Sequence, residues 1–449
     1  MNPRFSRPLS IPLLGLLFLL LTSPFTHSQA PLNYLIVLID DLGASDLACY
    51  GSSFYQTPHI DQLARDGMKF TQAYSACTVC SPTRAALLTG QYPARLHLTD
   101  WIAGHERPKA KLRIPSWTKE LPPTAITIAD LLRKKGYSTA HFGKWHLGKN
   151  QPATSRGFDF TLADNGKGQP DTYVSPYKNP QLPDGPPGEE LTERLTREAA
   201  AWIEKNQGHP WFLYLPHFAV HTPLGAPAPA VARFQSLSDP KAPHKNSQYA
   251  AMISAVDQSI GTLRAKLQEL QLADRTVIIF TSDNGGLLPI TQNLGLRAGK
   301  GSAYEGGVRV PAIVFWPNQT KPHSQSSTPI ITMDWFATIA AATQIQAPND
   351  GVNLLPLLKG EAFPPRPLYW HYPHYHPGGA TPYSAVRDGN WRLIHFYEDD
   401  HLELFNLQDD PQEKNNLAPT QPDRAGQLRS QLDLWRLKVG AQAPIPNSP

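Results

Sequence analysis

Residues 77–84 read C-T-V-C-S-P-T-R. Two chemistries are open to them. Cys77 and Cys80 form a C-x-x-C, the spacing of thiol–disulfide and zinc sites. Cys80, Pro82 and Arg84 form a C-x-P-x-R. Pro82 suits the first turn of a helix, R-A-A-L-L-T continues it, and Gly90 is a natural stop. Cys80 is then expected at a helix N-terminus. Backbone N–H groups favour negative charge there, and Arg84 adds to the effect one turn on. The place suits an activated nucleophile and a bound anion. Taken alone, a free cysteine is equally a small buried apolar residue.

Four further segments carry polar residues just past apolar runs. Asp40 and Asp41 end L-I-D-D, and Asp283 and Asn284 end F-T-S-D-N. Lys144 and His146 follow S-T-A-H-F-G, and His221 follows H-F-A-V. Parallel α/β sheets bind ligands outside the carboxyl ends of their strands, so these segments aim at one edge. A single strand-end aspartate is an ordinary turn former or cap; the coincidence of four segments is the signal. Asp40, Asp41, Asp283 and Asn284 offer hard oxygen ligands that suit Ca²⁺ or Mg²⁺ and not zinc or copper. Two adjacent acids repel unless a cation lies between them. The plain alternative is a capping aspartate beside a solvated one.

The elements that must position these residues are legible as alternating apolar runs and amphipathic stretches, the pattern of a parallel sheet covered by helices. N-Y-L-I-V-L-I-D, S-T-A-H-F-G, W-F-L-Y-L-P-H-F, T-V-I-I-F-T-S-D and V-P-A-I-V-F-W-P read as buried strands. Helices are expected at T-P-H-I-D-Q-L-A-R-D-G, with Thr57 as N-cap and Pro58 first, and at T-I-A-D-L-L-R-K-K-G-Y. Longer helices are expected over L-T-E-R-L-T-R-E-A-A-A-W-I-E-K-N and Y-A-A-M-I-S-A-V-D-Q-S-I-G-T-L-R-A-K-L-Q-E-L, and another near T-M-D-W-F-A-T-I-A-A-A-T. Past residue 355 the pattern becomes alternating and turn-separated, as in antiparallel strands, and a helix closes the chain. The expected division is a leader over 1–30, a large α/β domain over 31–355 and a small α+β subdomain over 356–449.

Arg4 and Arg7 precede I-P-L-L-G-L-L-F-L-L-L, with small residues after it. This reads as a secretory signal peptide, too short for an ordinary spanning helix, with an uncleaved anchor as the alternative. The expected location is the periplasm or outside the cell, with no stable membrane insertion after cleavage. The net charge is +4, and two of those positive charges are Arg4 and Arg7, so the balance is too weak for a nucleic-acid partner. The 45 prolines, about twice the usual share, are spread along the chain and read as rigid loops. Three cysteines do not make a disulfide framework, and an odd count leaves one thiol over or modified. Cys77 is read either as buried or as the partner of Cys49.

C-S-P-T-R at 80–84 resembles the signature of the formylglycine-dependent sulfatases, arylsulfatase-like members of the alkaline phosphatase superfamily. In that family the motif cysteine is oxidised to Cα-formylglycine, whose hydrate is the nucleophile. L-I-D-D-L-G resembles the family's first metal pair, G-K-W-H-L-G its Lys-x-His segment and H-T-P its second histidine segment. T-S-D-N-G-G resembles its second metal pair, and G-K-G-S-A-Y-E-G-G-V-R-V-P the segment of its second lysine. E-L-F-N-L-Q-D-D-P-Q-E-K-N-N-L-A resembles the signature of its C-terminal lobe. The matches run in family order from Asn33 to Ala418.

The resemblance implies an alkaline-phosphatase-like central mixed sheet between helices, with a small C-terminal antiparallel sheet. It implies that Asp40, Asp41, Asp283 and Asn284 hold one divalent cation, usually Ca²⁺ in the family. It implies that residue 80, as formylglycine hydrate, attacks the sulfur, after a maturation enzyme has made the aldehyde. Arg84 and Lys144 would steady the hydrate and the sulfate, and His146 would contact the hydrate and help it eliminate. His221 and Lys300 would meet the sulfate, one of them protonating the leaving oxygen. A secreted, aromatic-rich chain suits a sulfated carbohydrate attacked from its end. Two stretches are expected to bind the sugar: His97, Asp100, Trp101, His105 and Arg107 after the nucleophile helix, and His371, His374, His376, Trp370 and three tyrosines where the C-terminal region begins. Packing between the two regions is the plain alternative for both. Rival readings are a phosphonate monoester or phosphodiester hydrolase with the same nucleophile, a thiol-redox or zinc protein using Cys77 and Cys80, and an inactive binding protein on the same scaffold.

Overall fold

A computed structural model describes residues 1, 3 and 30–447 of the chain. The expected signal peptide lies outside the described residues. Among those described, no helix is long and apolar enough to cross a membrane.

The run expected to be the first buried strand forms β1, Asn33–Ile39, with every residue buried. Its side chains alternate between two cores: Leu35, Val37 and Ile39 enter one, and Tyr34, Ile36 and Leu38 the other. Period-two alternation with both faces apolar is what a sheet covered on both sides requires. The other strands are β2 (Met68–Tyr74), β3 (Ser138–Phe142), β4 (Phe160–Leu162), β5 (Trp211–Pro216), β6 (Thr276–Ser282) and β7 (Arg309–Phe315). Two short strands, β8 (Ser324–Ser326) and β9 (Ile330–Ile331), complete a nine-stranded sheet. The order is β9-β2-β7-β6-β1-β5-β3-β4, with β8 pairing β2.

The strands β6, β1, β5, β3 and β4 run parallel, whereas β7 runs antiparallel to both β6 and β2. The sheet is therefore mixed. Parallel neighbours need a crossover, usually a helix. The link from β6 to β7 holds only the four-residue helix Glu305–Val308, so the chain turns back beside β6 and spends the connection on site residues.

Helix α1 (Pro58–Asp66) starts where Pro58 predicts. Helix α2 (Cys80–Thr89) follows β2, with Val79 as N-cap and Gly90 left-handed at its end. Helices α3 (Leu191–Lys205) and α4 (Ser247–Glu269) pack on the face of the sheet that Leu35 and Val37 enter. The C-terminal region forms a four-stranded antiparallel sheet: β10 (Leu368–Tyr372), β11 (Tyr383–Asp388), β12 (Trp391–Phe396) and β13 (Leu402–Asn406). Helix α5 (Pro422–Val439) covers it. This sheet shares one core with Tyr74, Ala76, Cys77, Val79 and Ala86. The nucleophile segment is thus clamped between two cores, and all ten residues of α2 are buried.

Candidate active site

β1 and β6 are parallel neighbours in a register that pairs Ile39 with Ser282. Asp40 and Asp283, one residue further, therefore emerge side by side. Asn284 follows, and Asp41 turns back with a left-handed backbone, φ 62°. Lys144 follows β3, tied by its N–H to Pro216 O at 2.8 Å, and His221 follows β5. Cys80 opens α2. The site residues named from the sequence meet at this edge.

Arg84 donates twice to Asp283 Oδ2, from Nε at 2.9 Å and Nη2 at 2.6 Å, and its Nη1 donates to Lys144 O at 2.9 Å. Its Nη2 also lies 3.5 Å from Asp40 Oδ1. Lys144 Nζ lies 2.6 Å from Asp40 Oδ2, and Lys300 Nζ lies 2.8 Å from Asp41 Oδ1. Asn284 Nδ2 donates to Asp41 Oδ1 at 2.7 Å, and His221 Nε2 is 3.7 Å from Asp41 Oδ2. Three buried carboxylates thus face two buried cations, Arg84 and Lys144, and the half-buried Lys300. A buried charge persists only when paired in this way.

The pairing sets the protonation states. Burial, reinforced by Asp283 alongside, pushes the Asp40 carboxyl well up, against the pull of Lys144. Burial acts the same way on Asp41, but Lys300 and His221 outweigh it and hold Asp41 low. Burial alone would raise the Cys80 thiol. Lys144 and Lys300, with a hydrogen bond from His221, bring it down to about 6 instead. Burial, then Lys144, keeps His146 neutral. Its Nε2–H donates to Ile102 O, and its buried Nδ1 has no protein partner. Burial opposes a charge on His221 too, but Asp41 prevails and raises it. His221 Nδ1–H is held by Thr222 O, which leaves Nε2 facing Asp41 and residue 80.

The site fits a divalent cation. Asp40 Oδ1 and Asn284 Oδ1 are both buried without a hydrogen-bond partner, a costly condition that a cation relieves. One ligand atom each from Asp40, Asp41, Cys80 and His221 lies within 4.8 Å of the others. That set differs from the expected one by offering sulfur and imidazole in place of Asp283 and Asn284. Donor chemistry separates the two. Asp283 and the orphaned oxygens of Asp40 and Asn284 belong to a hard, oxygen-only set.

Cys80 lines a cavity of about 470 Å³ with Trp101, Lys167, Gln169, His221, Lys300 and His376. Gly168 is required beside it, because a Cβ there would come within 2.7 Å of the His146 ring. Of the residues in the two stretches expected to bind the sugar, Trp101 and His376 line this cavity. His105 and Arg107 lie beyond it, with Arg107 Nε donating to His105 Nε2 at 3.2 Å. Asp100, His371 and His374 do not line it. Asp100 accepts from Tyr372 Oη at 2.8 Å and from Trp101 N at 2.9 Å. His374 Nε2 pairs with Thr99 Oγ1 at 2.8 Å, and His371 bridges Ser384 Oγ at 2.7 Å and Gln442 O at 2.9 Å. All three are buried: Asp100 and His374 tie the loop after α2 to the C-terminal region, and His371 ties the C-terminal sheet to the chain end, so packing replaces the expected sugar contact. Lys167, Gln169 and Leu287, which sequence reasoning missed, take their place on the wall with His376. The turn-rich D-N-G-K-G-Q-P-D stretch signals a loop, but nothing in it signals which cavity the loop reaches.

Cys49, Cys77 and Cys80 are all free thiols. The pairing of Cys49 with Cys77 is not formed, and Cys77 is buried in the core it shares with the C-terminal sheet. Burial pushes its thiol far above the ordinary range, so Cys77 is itself a poor nucleophile.

A mixed sheet with paired carboxylates at its strand ends and a nucleophile at a buried helix N-terminus defines an alkaline-phosphatase-like hydrolase of anionic esters. The comparison with known proteins narrows this. Residues 32–345 match the Sulfatase family, and residues 299–438 match the family described as N-sulphoglucosamine sulphohydrolase, C-terminal. The chain belongs to the sulfatase family and is a sulfuric ester hydrolase. It is 30% identical to a sulfatase of Formosa agariphila, over 96% of this chain and 94% of that one. It is also 30% identical to the steryl-sulfatase of Mus musculus, over 92% of this chain and 82% of that one. The crystal structure of Ps i-CgsB in complex with k-i-k-neocarrahexaose superposes with a TM-score of 0.76 at 30% identity, covering 90% of this chain and 92% of that one.

Proposed function

We propose that the protein removes a sulfate group from the end of a sulfated carbohydrate, outside the cytoplasm. The nucleophile would derive from Cys80, with one Ca²⁺, or Mg²⁺, held by Asp40, Asp41, Asp283 and Asn284. The observation that carries this reading is the cavity of about 470 Å³ that closes on residue 80 between Lys300, His221 and His146. Its volume of about 470 Å³ suits a single terminal unit. Trp101 offers an aromatic face, and Gln169 and His376 offer hydrogen-bonding groups, as a sugar ring requires. A relative at 30% identity is known in complex with a neocarrahexaose, while another of equal identity is a steryl-sulfatase. Kinship alone therefore does not choose the alcohol, and the pairing of an aromatic face at Trp101 with the polar groups of Gln169 and His376 favours a sugar.

The charge balance suits a sulfate ester. The three buried carboxylates are already matched by Arg84, Lys144 and Lys300. Formylglycine at position 80 supplies a hydrated aldehyde as nucleophile, and the cation adds positive charge for the monoanionic ester. Lys144 and Lys300 then meet the sulfate oxygens and hold the anionic group in place while the ester bond breaks. His146 donates Nε2–H to Ile102 O, so its Nδ1 is left to accept the proton of a hydroxyl on residue 80. His221 carries its proton on Nε2 and hands it to the departing sugar oxygen. Arg84 keeps Asp283 ionised and fixed.

The test uses protein made with the formylglycine maturation machinery. The mass of the peptide containing residue 80 should show an aldehyde. Sulfate release should be faster from sulfated sugars than turnover of an aryl phosphonate monoester. A plain thiol at residue 80 in fully active protein, or a preference for the phosphonate, would overturn the reading.

A further inference from the structure

The loop that leaves α2 builds a second cavity beyond Trp101. It measures about 480 Å³ and lies among Glu106, Arg107, Arg113, Trp117, Lys119 and Asn447. Three cations share it with one acid. Among the described residues, none of the three forms an ion pair. Arg107 lies 5.9 Å from the Tyr375 ring centre and Lys119 lies 5.6 Å from that of Trp117. Their polar heads keep free donors.

The cavity is built into the fold. The C-terminal residues Ile445–Pro446 pair antiparallel with Leu112–Arg113. Asn447 Nδ2 donates to Pro108 O at 2.7 Å and to Ala110 O at 3.1 Å. Tyr375 Oη accepts from Leu112 N at 3.1 Å and donates to Glu398 at 2.7 Å. Gly104 sits so close to Trp117 that a Cβ there would fall 2.6 Å from the indole. The wall between the two cavities is the same loop: Trp101 and Ile102 line the catalytic side, and Glu106 and Arg107 the other. His376, on the catalytic side, is near enough to Arg107 to feel its charge.

We propose that this second cavity holds the next unit of the carbohydrate chain and takes a second anionic group on it, a sulfate or a carboxylate. The enzyme is then matched to a polyanionic chain and not to an isolated sulfated sugar. The proposal rests on the carbohydrate reading above. Arginine presents a planar fork that fits either anion, and Trp117 gives the sugar ring a flat apolar face.

The test reads binding, not turnover, so it stands apart from the carbohydrate sulfatase reading. Cys80→Ala protein is titrated by calorimetry with two tetrasaccharides. Both carry a terminal sulfate, and only one carries a second sulfate on the adjoining unit. The disulfated chain should bind about tenfold more tightly at low salt, and the gain should shrink as salt rises. The double variant Arg113→Ala/Lys119→Ala, with unchanged melting behaviour, should lose the gain and leave the monosulfated affinity as it was. A third tetrasaccharide with a uronate on the adjoining unit separates carboxylate from sulfate, and tighter binding of either over the monosulfated chain supports the proposal. Equal binding of all three, no binding of any, or a preference that survives in the double variant overturns it. Failure of the mature enzyme to desulfate any sugar, with the binding preference intact, would sink only the carbohydrate sulfatase reading.

Discussion

His146 and His221 are the same side chain put to opposite uses. Burial and Lys144 keep His146 neutral, while Asp41 overcomes burial at His221 and favours the charged ring. The assignment of His221 as proton donor has a direct consequence. His221→Gln should lower kcat on a sulfated sugar by about 10²–10⁴-fold. On nitrophenyl sulfate the loss should be far smaller, because nitrophenolate leaves without a proton. An equal loss on both substrates would remove His221 from that role. Asp100 offers a test by pH. Burial raises its carboxyl to about 7, against hydrogen bonds from Tyr372 and Trp101. The folded protein therefore holds that proton more tightly than the unfolded chain, whose aspartates titrate near ~3.9. Its stabilising effect is full below that value, declines as pH rises, and is lost above about 7. Asp100→Asn should match wild type in stability near pH 4 and exceed it at pH 8 by a few kcal/mol at most. Melting temperatures across that range would show it, and a constant difference would count against it.

At the scale of elements, the site depends on which chain ends are brought together and on how firmly they are held. The β1 and β6 ends supply the carboxylates, the β3 and β5 ends supply Lys144 and His221, and α2 supplies residue 80 from between two cores. Lys300 comes from the β6–β7 connection, whose last turn, Glu305–Val308, is locked to the C-terminal sheet. Arg392 on β12 lies 3.2 Å from Glu305 Oε1 and 2.9 Å from Glu413 Oε1, and donates to Ala303 O at 2.6 Å. None of these three charged side chains exceeds 1% exposure. Removing the cation would leave two acids buried without it. Arg392→Met should therefore cost about 3–5 kcal/mol of stability in denaturant titration. The double variant Glu413→Gln/Arg392→Met should recover part of that loss. Without such recovery, the penalty would reflect packing and not charge.

At the scale of the whole molecule, a cation joining segments that are 243 residues apart in sequence should act as a staple. A ligand that binds only the folded state raises stability by RT ln(1 + [L]/Kd), so added Ca²⁺ at a hundredfold excess over Kd should contribute ~2.7 kcal/mol. Chelation should lower the melting temperature and abolish sulfate release, and Ca²⁺ should restore both. The shift should vanish in Asp40→Asn, whose Oδ1 is one of the two orphaned oxygens. A Ca²⁺-independent melting temperature in wild type would argue against a structural role for the ion.

What the sequence determined by itself is what depends on neighbours a few residues away. Strand runs, helix starts such as Pro58 and Cys80, and the polar residues just past each strand follow from local periodicity and backbone restriction. Because parallel strands deliver their carboxyl ends to one edge, the carboxylates, Lys144 and His221 could be grouped without coordinates. Only the tertiary structure decided which side chains face the cavity. His374 and His376 are two residues apart, yet Thr99, 275 residues away from His374, claims that ring for packing, while His376 reaches the pocket. The same holds for the antiparallel course of β7, the separation of Cys49 from Cys77, and Lys167 on the pocket wall. Each of these is decided by contacts between segments far apart in sequence, and composition and spacing do not encode such contacts locally.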